Sequence, residues 1–173
     1  MIADIVHGDI TSPNNPADII IGMNSVLNDV TGIGRPFVNN LKTKHPIELG
    51  CVLSFEFDDE RQLHMIICHH LGKGGWMGSD MHVRFGLDYL WQKPGHALRK
   101  FSIVKIGSGR VGQRDGANPA AILTSMTNSF LPVTLYLFNK RLQEEGVVAM
   151  KKPPLRALRV WHPNHGEEVP LAA

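Results

Sequence analysis

Apolar positions along the chain fall into short runs separated by glycine, proline and asparagine, and the period of each run predicts its element. Ile2 to Val6 reads as a short strand that ends at Gly8-Asp9-Ile10-Thr11. Ser12-Pro13-Asn14-Asn15-Pro16 is turn chemistry, and Ala17 to Met23 follows as a continuous apolar run of the kind a strand covered on both faces shows. Pro36 suits the first turn of a helix carrying Phe37, Val38 and Leu41 on one side. Cys51–Phe57 and Leu63–Cys68, joined by Asp58-Asp59-Glu60-Arg61, predict a hairpin. After a glycine-rich loop from His69 to Asp80, Met81 to Gln92 places Val83, Phe85, Leu87, Leu90 and Trp91 near helical spacing. Phe101 to Ile106 predicts another strand and Ala117 to Phe130 a helix with Pro119 in its first turn. Pro132 to Phe138 is the last clear strand. Alternating strands and helices imply an α/β domain with a mostly parallel sheet, placed at residues 1–145.

Residues 146–173 differ in character. Lys151-Lys152-Pro153-Pro154 opens a basic, proline-rich tail, expected to be a loosely held terminus, with docking of Arg156, Arg159 and Trp161 on the domain or on a partner as the alternative. The 173 residues suit one domain with a buried core. The 18 basic and 16 acidic residues leave a net charge of +2, far from a strongly cationic nucleic-acid binder. The 2 cysteines, Cys51 and Cys68, are too few for a disulfide framework or a cysteine-rich metal site. No apolar run approaches the roughly 18 residues that span a bilayer, and the start lacks signal-peptide character. A cytoplasmic location and no membrane partner are the expectation.

The 17 glycines carry the functional signal. Gly32-Ile33-Gly34 and Gly107-Ser108-Gly109-Arg110-Val111-Gly112 each follow a predicted strand and precede a predicted helix. In open α/β sheets that is where ligands bind, and backbone N–H groups with a helix N-terminus there favour an anion such as a diphosphate. Gly107-x-Gly109-x-x-Gly112 also spells the dinucleotide fingerprint. It lies past the middle of the chain, however, and lacks an acid about 20 residues on, since Asp115 comes too early and Glu144 is the next.

Four segments in order, Gly8-Asp9-Ile10-Thr11, the apolar run ending at Asn24, Gly32-Ile33-Gly34 and Ile106-Gly107-Ser108-Gly109, resemble the macrodomain family, whose members bind ADP-ribose and its derivatives. The resemblance covers residues 2 to about 140. It implies a three-layer α/β/α fold with a mixed, mostly parallel central sheet. By the same resemblance Asp9 accepts from the adenine amino group, with the Ile10 backbone nearby, and Asn24 contacts the distal ribose. Gly32, Ile33 and Gly34 would close over the diphosphate against Ser108, Gly109, Arg110, Val111 and Gly112. Phe138 would lie against the adenine, with Asn139 beside it. A carboxylate that only accepts hydrogen bonds suits an amino donor, and an aromatic ring suits a base face.

The chain departs from the family pattern in several places. Gly22-Met23-Asn24-Ser25 stands where the family has N-A-x-N, so the first asparagine is absent. Ile33 occupies the place of a loop lysine in DNA-acting members, Val111 replaces a glycine or alanine, and Asp115 arrives one residue late. The short first loop with Arg35-Pro36-Phe37 is closer to the branch that includes ADP-ribose-1''-phosphatases and DNA ADP-ribosyl hydrolases. Hydrolysis at the distal ribose needs a proton acceptor. Asn24 can position a water, and Asp115, His69 and His70 are the candidates to take its proton. No metal or cofactor is expected, because His69, His70 and His82 lack ligand spacing. The contrasting readings are a macrodomain-like interaction module without the ligand, and a nucleic-acid binder using Lys151, Lys152, Arg156 and Arg159.

Overall fold

The computed structural model describes residues 1–25, 46–70, 80–108, 113, 115–128, 132–137 and 156–170. Its strands are β1 (Ile2–His7), β2 (Asp18–Asn24), β3 (Val52–Glu56), β4 (Gln62–His69), β5 (Phe101–Val104), β6 (Val133–Leu137), β7 (Arg156–His162) and β8 (Glu167–Pro170). Helix α1 is Asp80–Gln92 and helix α2 is Pro119–Thr127. The strands form one eight-stranded sheet in the order β1-β6-β5-β2-β4-β3-β7-β8. From β1 to β4 every pairing is parallel, and from β4 outward through β3, β7 and β8 every pairing is antiparallel. The fold is thus α/β with a mixed, mostly parallel sheet. Among the described residues no helix is long and apolar enough to cross a membrane.

The continuous apolar run in β2 follows from its central place in the sheet. Ile20 joins Ile66, Ile103 and Leu135 on one face, under Val83, Leu87 and Leu90 of α1 and Ile122 and Met126 of α2. Ile19, Ile21 and Met23 join Leu53, Met65, Ile67 and Val160 on the other, with Ile10 packed among them. Both faces are therefore buried, as alternation of side chains along a strand requires when the neighbouring strands are apolar throughout. The helix-spaced set in α1 is narrower than its sequence suggests. Val83, Leu87 and Leu90 are buried, whereas Phe85 and Trp91 are exposed. Helix α2 starts two residues later than its pattern implies, because the Asn118 side chain caps it by accepting from Ala121 N at 3.1 Å, with Pro119 next in line.

The largest correction concerns the C-terminal segment. Residues 156–170 are not a loose terminus: β7 pairs along β3, Leu53 opposite Val160 and Val52 opposite Trp161, and β8 folds back on β7. Trp161 stacks on Tyr89 of α1, with centroids 4.4 Å apart and planes 7° from parallel. Arg159 donates to the Tyr89 hydroxyl and to Gln62 Oε1, and Arg156 donates to Glu56 Oε2. The arginines that break the apolar pattern of this strand serve intramolecular contacts, which is why it does not read as one. Two of the four cations assigned to nucleic acid are therefore engaged within the protein; Lys151 and Lys152 lie outside the described residues.

At the amino-terminal end of the parallel strands, Asp18 is 3% exposed and ties three strands together. Arg99, which precedes β5, grips both carboxylate oxygens at 2.6 and 2.7 Å, and Gln62 N of β4 donates to Oδ1 at 2.9 Å. Although burial opposes ionisation, the bonds from His64 and Arg99 hold the Asp18 carboxyl well below the usual carboxylate range. His64 Nδ1 meets Ser54 Oγ at 2.7 Å, and His96 Nδ1 donates to Leu90 O at 3.0 Å. Burial, with the nearby Arg159 charge adding to it, lowers the His96 pKa to about 4, and burial lowers that of His64 as well.

Two outcomes follow from this network. Asp18→Ala leaves Arg99 and His64 without their acceptor and should cost on the order of 3 kcal/mol in urea unfolding at pH 7. For His96, the unfolded chain takes up a proton below its ordinary 6.5, whereas the folded protein does so only near 4. Stability is thus full above about pH 6.5 and falls as pH drops toward 4, because the unfolded state binds more protons there. The urea midpoint should be lower at pH 5 than at pH 7, and His96→Asn should flatten that slope. An unchanged slope would contradict the assignment.

Candidate functional site at the carboxyl edge of the parallel strands

Because β1, β6, β5, β2 and β4 are parallel, their carboxyl ends open on a single edge. Asp9 follows β1, Ser108 follows β5, Asn24 closes β2 and His69 closes β4. Four strand spacings of about 4.8 Å make this edge ~19 Å long from β1 to β4. A molecule built as base, ribose, diphosphate and ribose can lie along an edge of that length.

Asp9 is half-buried and lies beside the end of β6, where Gly8 N donates to Leu137 O at 3.2 Å. Its Oδ1 accepts from Thr11 N at 2.9 Å and from Thr11 Oγ1 at 2.7 Å, a local turn that fixes the carboxylate. The other oxygen takes no bond from the described residues. Ile10 is fully buried, and its carbonyl accepts from Asn15 Nδ2 at 2.8 Å. Asn15 in turn donates to Ser102 Oγ, and Arg61 Nη1 donates to Ser12 O and Asn15 O. The turn-rich segment between β1 and β2 is thereby pinned, and Asp9 stands on a fixed base.

Ser108 is exposed, and its hydroxyl donates to Lys105 O at 2.6 Å while its carbonyl accepts from Gln113 Nε2 at 2.9 Å. The Ser108 hydroxyl thus closes a turn, which leaves any ligand contact here to the backbone. Gly32, Ile33, Gly34, Gly109, Arg110, Val111, Gly112, Phe138 and Asn139 lie outside the described residues, as does the predicted helix after Pro36.

The structure brings Asn24 and Asp115 toward one place through His69. Asn24 is 7% exposed and pairs in register with His69 of β4, after a bulge between Met23 and Asn24. Ser25 N donates to His69 O at 2.8 Å. The His69 ring is 3% exposed, and its Nε2 lies 3.0 Å from Asp115 Oδ2, whose side chain is 16% exposed. The signal for His69 was its place directly after the predicted strand Leu63–Cys68, in a doublet with His70 that hid which histidine turned inward; the observed strand runs one residue further and includes His69.

The absent first asparagine also has a structural cause. A Cβ at Gly22 would sit 2.9 Å from Cys68 Sγ and 2.9 Å from Ile106 Cγ2, so a larger residue there forces those side chains, packed between β4 and the chain leaving β5, to shift. Cys68 is buried and its thiol is pushed up to about 12, and burial raises Cys51 as well, so neither presents a thiolate. Among the described residues no three metal-ligating side chains come together. A separate groove of about 610 Å³ lies between α1 and β7, lined by residues including Phe85, Tyr89, Lys93 and Trp161.

No family model matches the sequence, and no curated protein matches it. Solved structures do. A protein of unknown function from Bacteroides thetaiotaomicron is similar at 16% identity with a TM-score of 0.54, covering 77% of this chain and 96% of its own. A macrodomain protein from Streptomyces coelicolor is similar at 17% identity with a TM-score of 0.50, covering 79% of this chain and 99% of its own. An alphavirus P23pro-zbd chain is similar at 12% identity with a TM-score of 0.52, covering 85% of this chain and 23% of its own. At such identities the likeness concerns the fold, which this chain therefore shares with a macrodomain protein.

Gly22→Asn, which puts the first asparagine of the N-A-x-N pattern in place, should destabilise the protein by about 1–3 kcal/mol, as overpacked cores do. Chemical denaturation beside the unsubstituted protein measures it. A neutral result would contradict the packing explanation.

Proposed function

We propose that the protein binds ADP-ribose, free or attached to a macromolecule, along the carboxyl edge of its parallel strands, and hydrolyses a bond at the distal ribose. The observation that carries this reading is the order of side chains on that edge. An anchored carboxylate, Asp9, stands at one end, and an amide, Asn24, stands at the other with Asp115 held near it by His69. The fold shared with a macrodomain protein agrees with this reading.

In this reading Asp9 Oδ2 accepts from the adenine amino group, and Gly32-Ile33-Gly34 with Ser108 to Gly112 surround the diphosphate with backbone N–H groups. That arrangement accounts for a diphosphate site in a protein whose net charge is only +2. Phe138 and Asn139 complete the adenine end. At the ribose end Asn24 orients hydroxyls or a water, and Asp115 takes the proton of the attacking water. No metal is required by this chemistry.

Isothermal titration with ADP-ribose should give a micromolar dissociation constant. Asp9→Ala removes a charged acceptor whose hydrogen bond contributes about 1.5–3 kcal/mol and should weaken binding at least about 10-fold. Binding of AMP or NAD with no heat from ADP-ribose would overturn the reading.

A further inference from the structure

We propose that His69 is a positioning residue: it ties the end of β2, which carries Asn24, to the Asp115 carboxylate, and so fixes the group that activates water. The inference rests on the ligand orientation proposed above and adds a role for a side chain that the orientation does not itself require.

Three observations converge on this residue. The His69 carbonyl accepts from Ser25 N at 2.8 Å, and its Cα is the register partner of Asn24, so its backbone fixes the last turn of β2. Its ring reaches Asp115 Oδ2 at 3.0 Å, so its side chain fixes the acid. One residue therefore bonds to both halves of the ribose end. The residue after Asp115, Gly116, has φ +80°, with no described residue within 4 Å of where a Cβ would be. The contact from His69 ties this part of the chain to the sheet. At 3% exposure the imidazole itself is poorly placed to meet water, whereas the carboxylate is partly open.

The division of roles follows from that geometry. The ring nitrogen sits against Oδ2 of a carboxylate that is 16% exposed, and in this proposal that carboxylate accepts the proton. As the water oxygen bonds to the anomeric carbon of the distal ribose, its proton passes to the Asp115 carboxylate. The bond from that carbon to the leaving oxygen breaks, and the electron pair departs with the leaving group. When that group is a phosphate it leaves as an anion and then takes up the proton from Asp115, which restores the carboxylate. The His69 proton count does not change. Holding an acid in one orientation raises turnover more than ground-state affinity, because the gain belongs to the step in which the proton moves.

The test uses the full chain with ADP-ribose 1''-phosphate as the probe, release of inorganic phosphate as the turnover readout, and calorimetric binding of ADP-ribose run beside it. Asp115→Asn should lower kcat by at least about 100-fold. His69→Gln should lower kcat about 10-fold with KM within about threefold, and the double variant should be no slower than Asp115→Asn alone, as expected of residues that act as a unit. In folded His69→Gly, added imidazole should restore several-fold of the lost turnover. His69→Asn replaces His69→Gln if the latter does not fold. An unchanged kcat on replacing His69, a double variant slower by the full factor of both singles, or no imidazole rescue would overturn the positioning role. ADP-ribose binding without phosphate release by the unsubstituted protein would overturn it while leaving the binding reading intact; no ADP-ribose binding would overturn both.

Discussion

The bidentate grip of Arg99 on Asp18 is the constraint on which the rest of the arrangement depends. It sits at the amino end of β2, the central strand, and with Gln62 N and His64 it joins the starts of β2, β4 and β5. A strand that slips by one residue turns its whole apolar set to the wrong face. In β2, with Ile20 packed on one face and Ile19 and Ile21 on the other, the register is doubly determined. Charged groups can be buried here because each acceptor is met: two guanidinium bonds and a backbone N–H for Asp18, and a hydroxyl for His64. Fixing the strands at this end fixes where Asn24 and His69 emerge at the other.

The two ends of the sheet therefore have different physical characters. At the amino end the ionisable groups are enclosed and meet one another, with His64 and His96 held neutral and their ring nitrogens engaged. At the carboxyl end the polar groups are partly open to solvent: Asp9 is half-buried and fixed by its own turn, and Asp115 is 16% exposed beside His69. This is the division expected of an open α/β sheet, in which ligands bind beyond the carboxyl ends of the strands.

Much of the fold could be read from the chain because period and punctuation agreed. The continuous run of β2, the Asp58–Arg61 turn between β3 and β4, and Pro119 opening α2 each carried one message in pattern and turn chemistry alike. β7 escaped because its apolar residues are interrupted by Arg156 and Arg159, whose partners, Glu56, Gln62 and Tyr89, are far off in sequence. The apolar face of α1 was drawn too wide, because Phe85 and Trp91 fit the spacing but remain exposed. At the site, Asp9, Asn24 and Asp115 were visible as residue types at strand ends. Their connection was not, because the contact between His69 and Asp115 exists only once β4 and the segment before α2 are side by side. The reason for Gly22 was equally hidden, since it lies in the side chains of Cys68 and Ile106 rather than in any local motif.

The central claim is that the ligand lies along the carboxyl edge from β1 to β4. Amide chemical-shift mapping with ADP-ribose tests it most directly, because it reports the edge, the opposite end and the α1–β7 groove in one titration. The account predicts shifts at Asp9, Ile10, Asn24, Ser25, Ser108 and Asp115, with Asp18, Arg99 and the groove residues Phe85, Tyr89 and Lys93 unmoved. Shifts confined to Phe85, Tyr89, Lys93 and Trp161 would place the ligand in the groove between α1 and β7 and contradict the account.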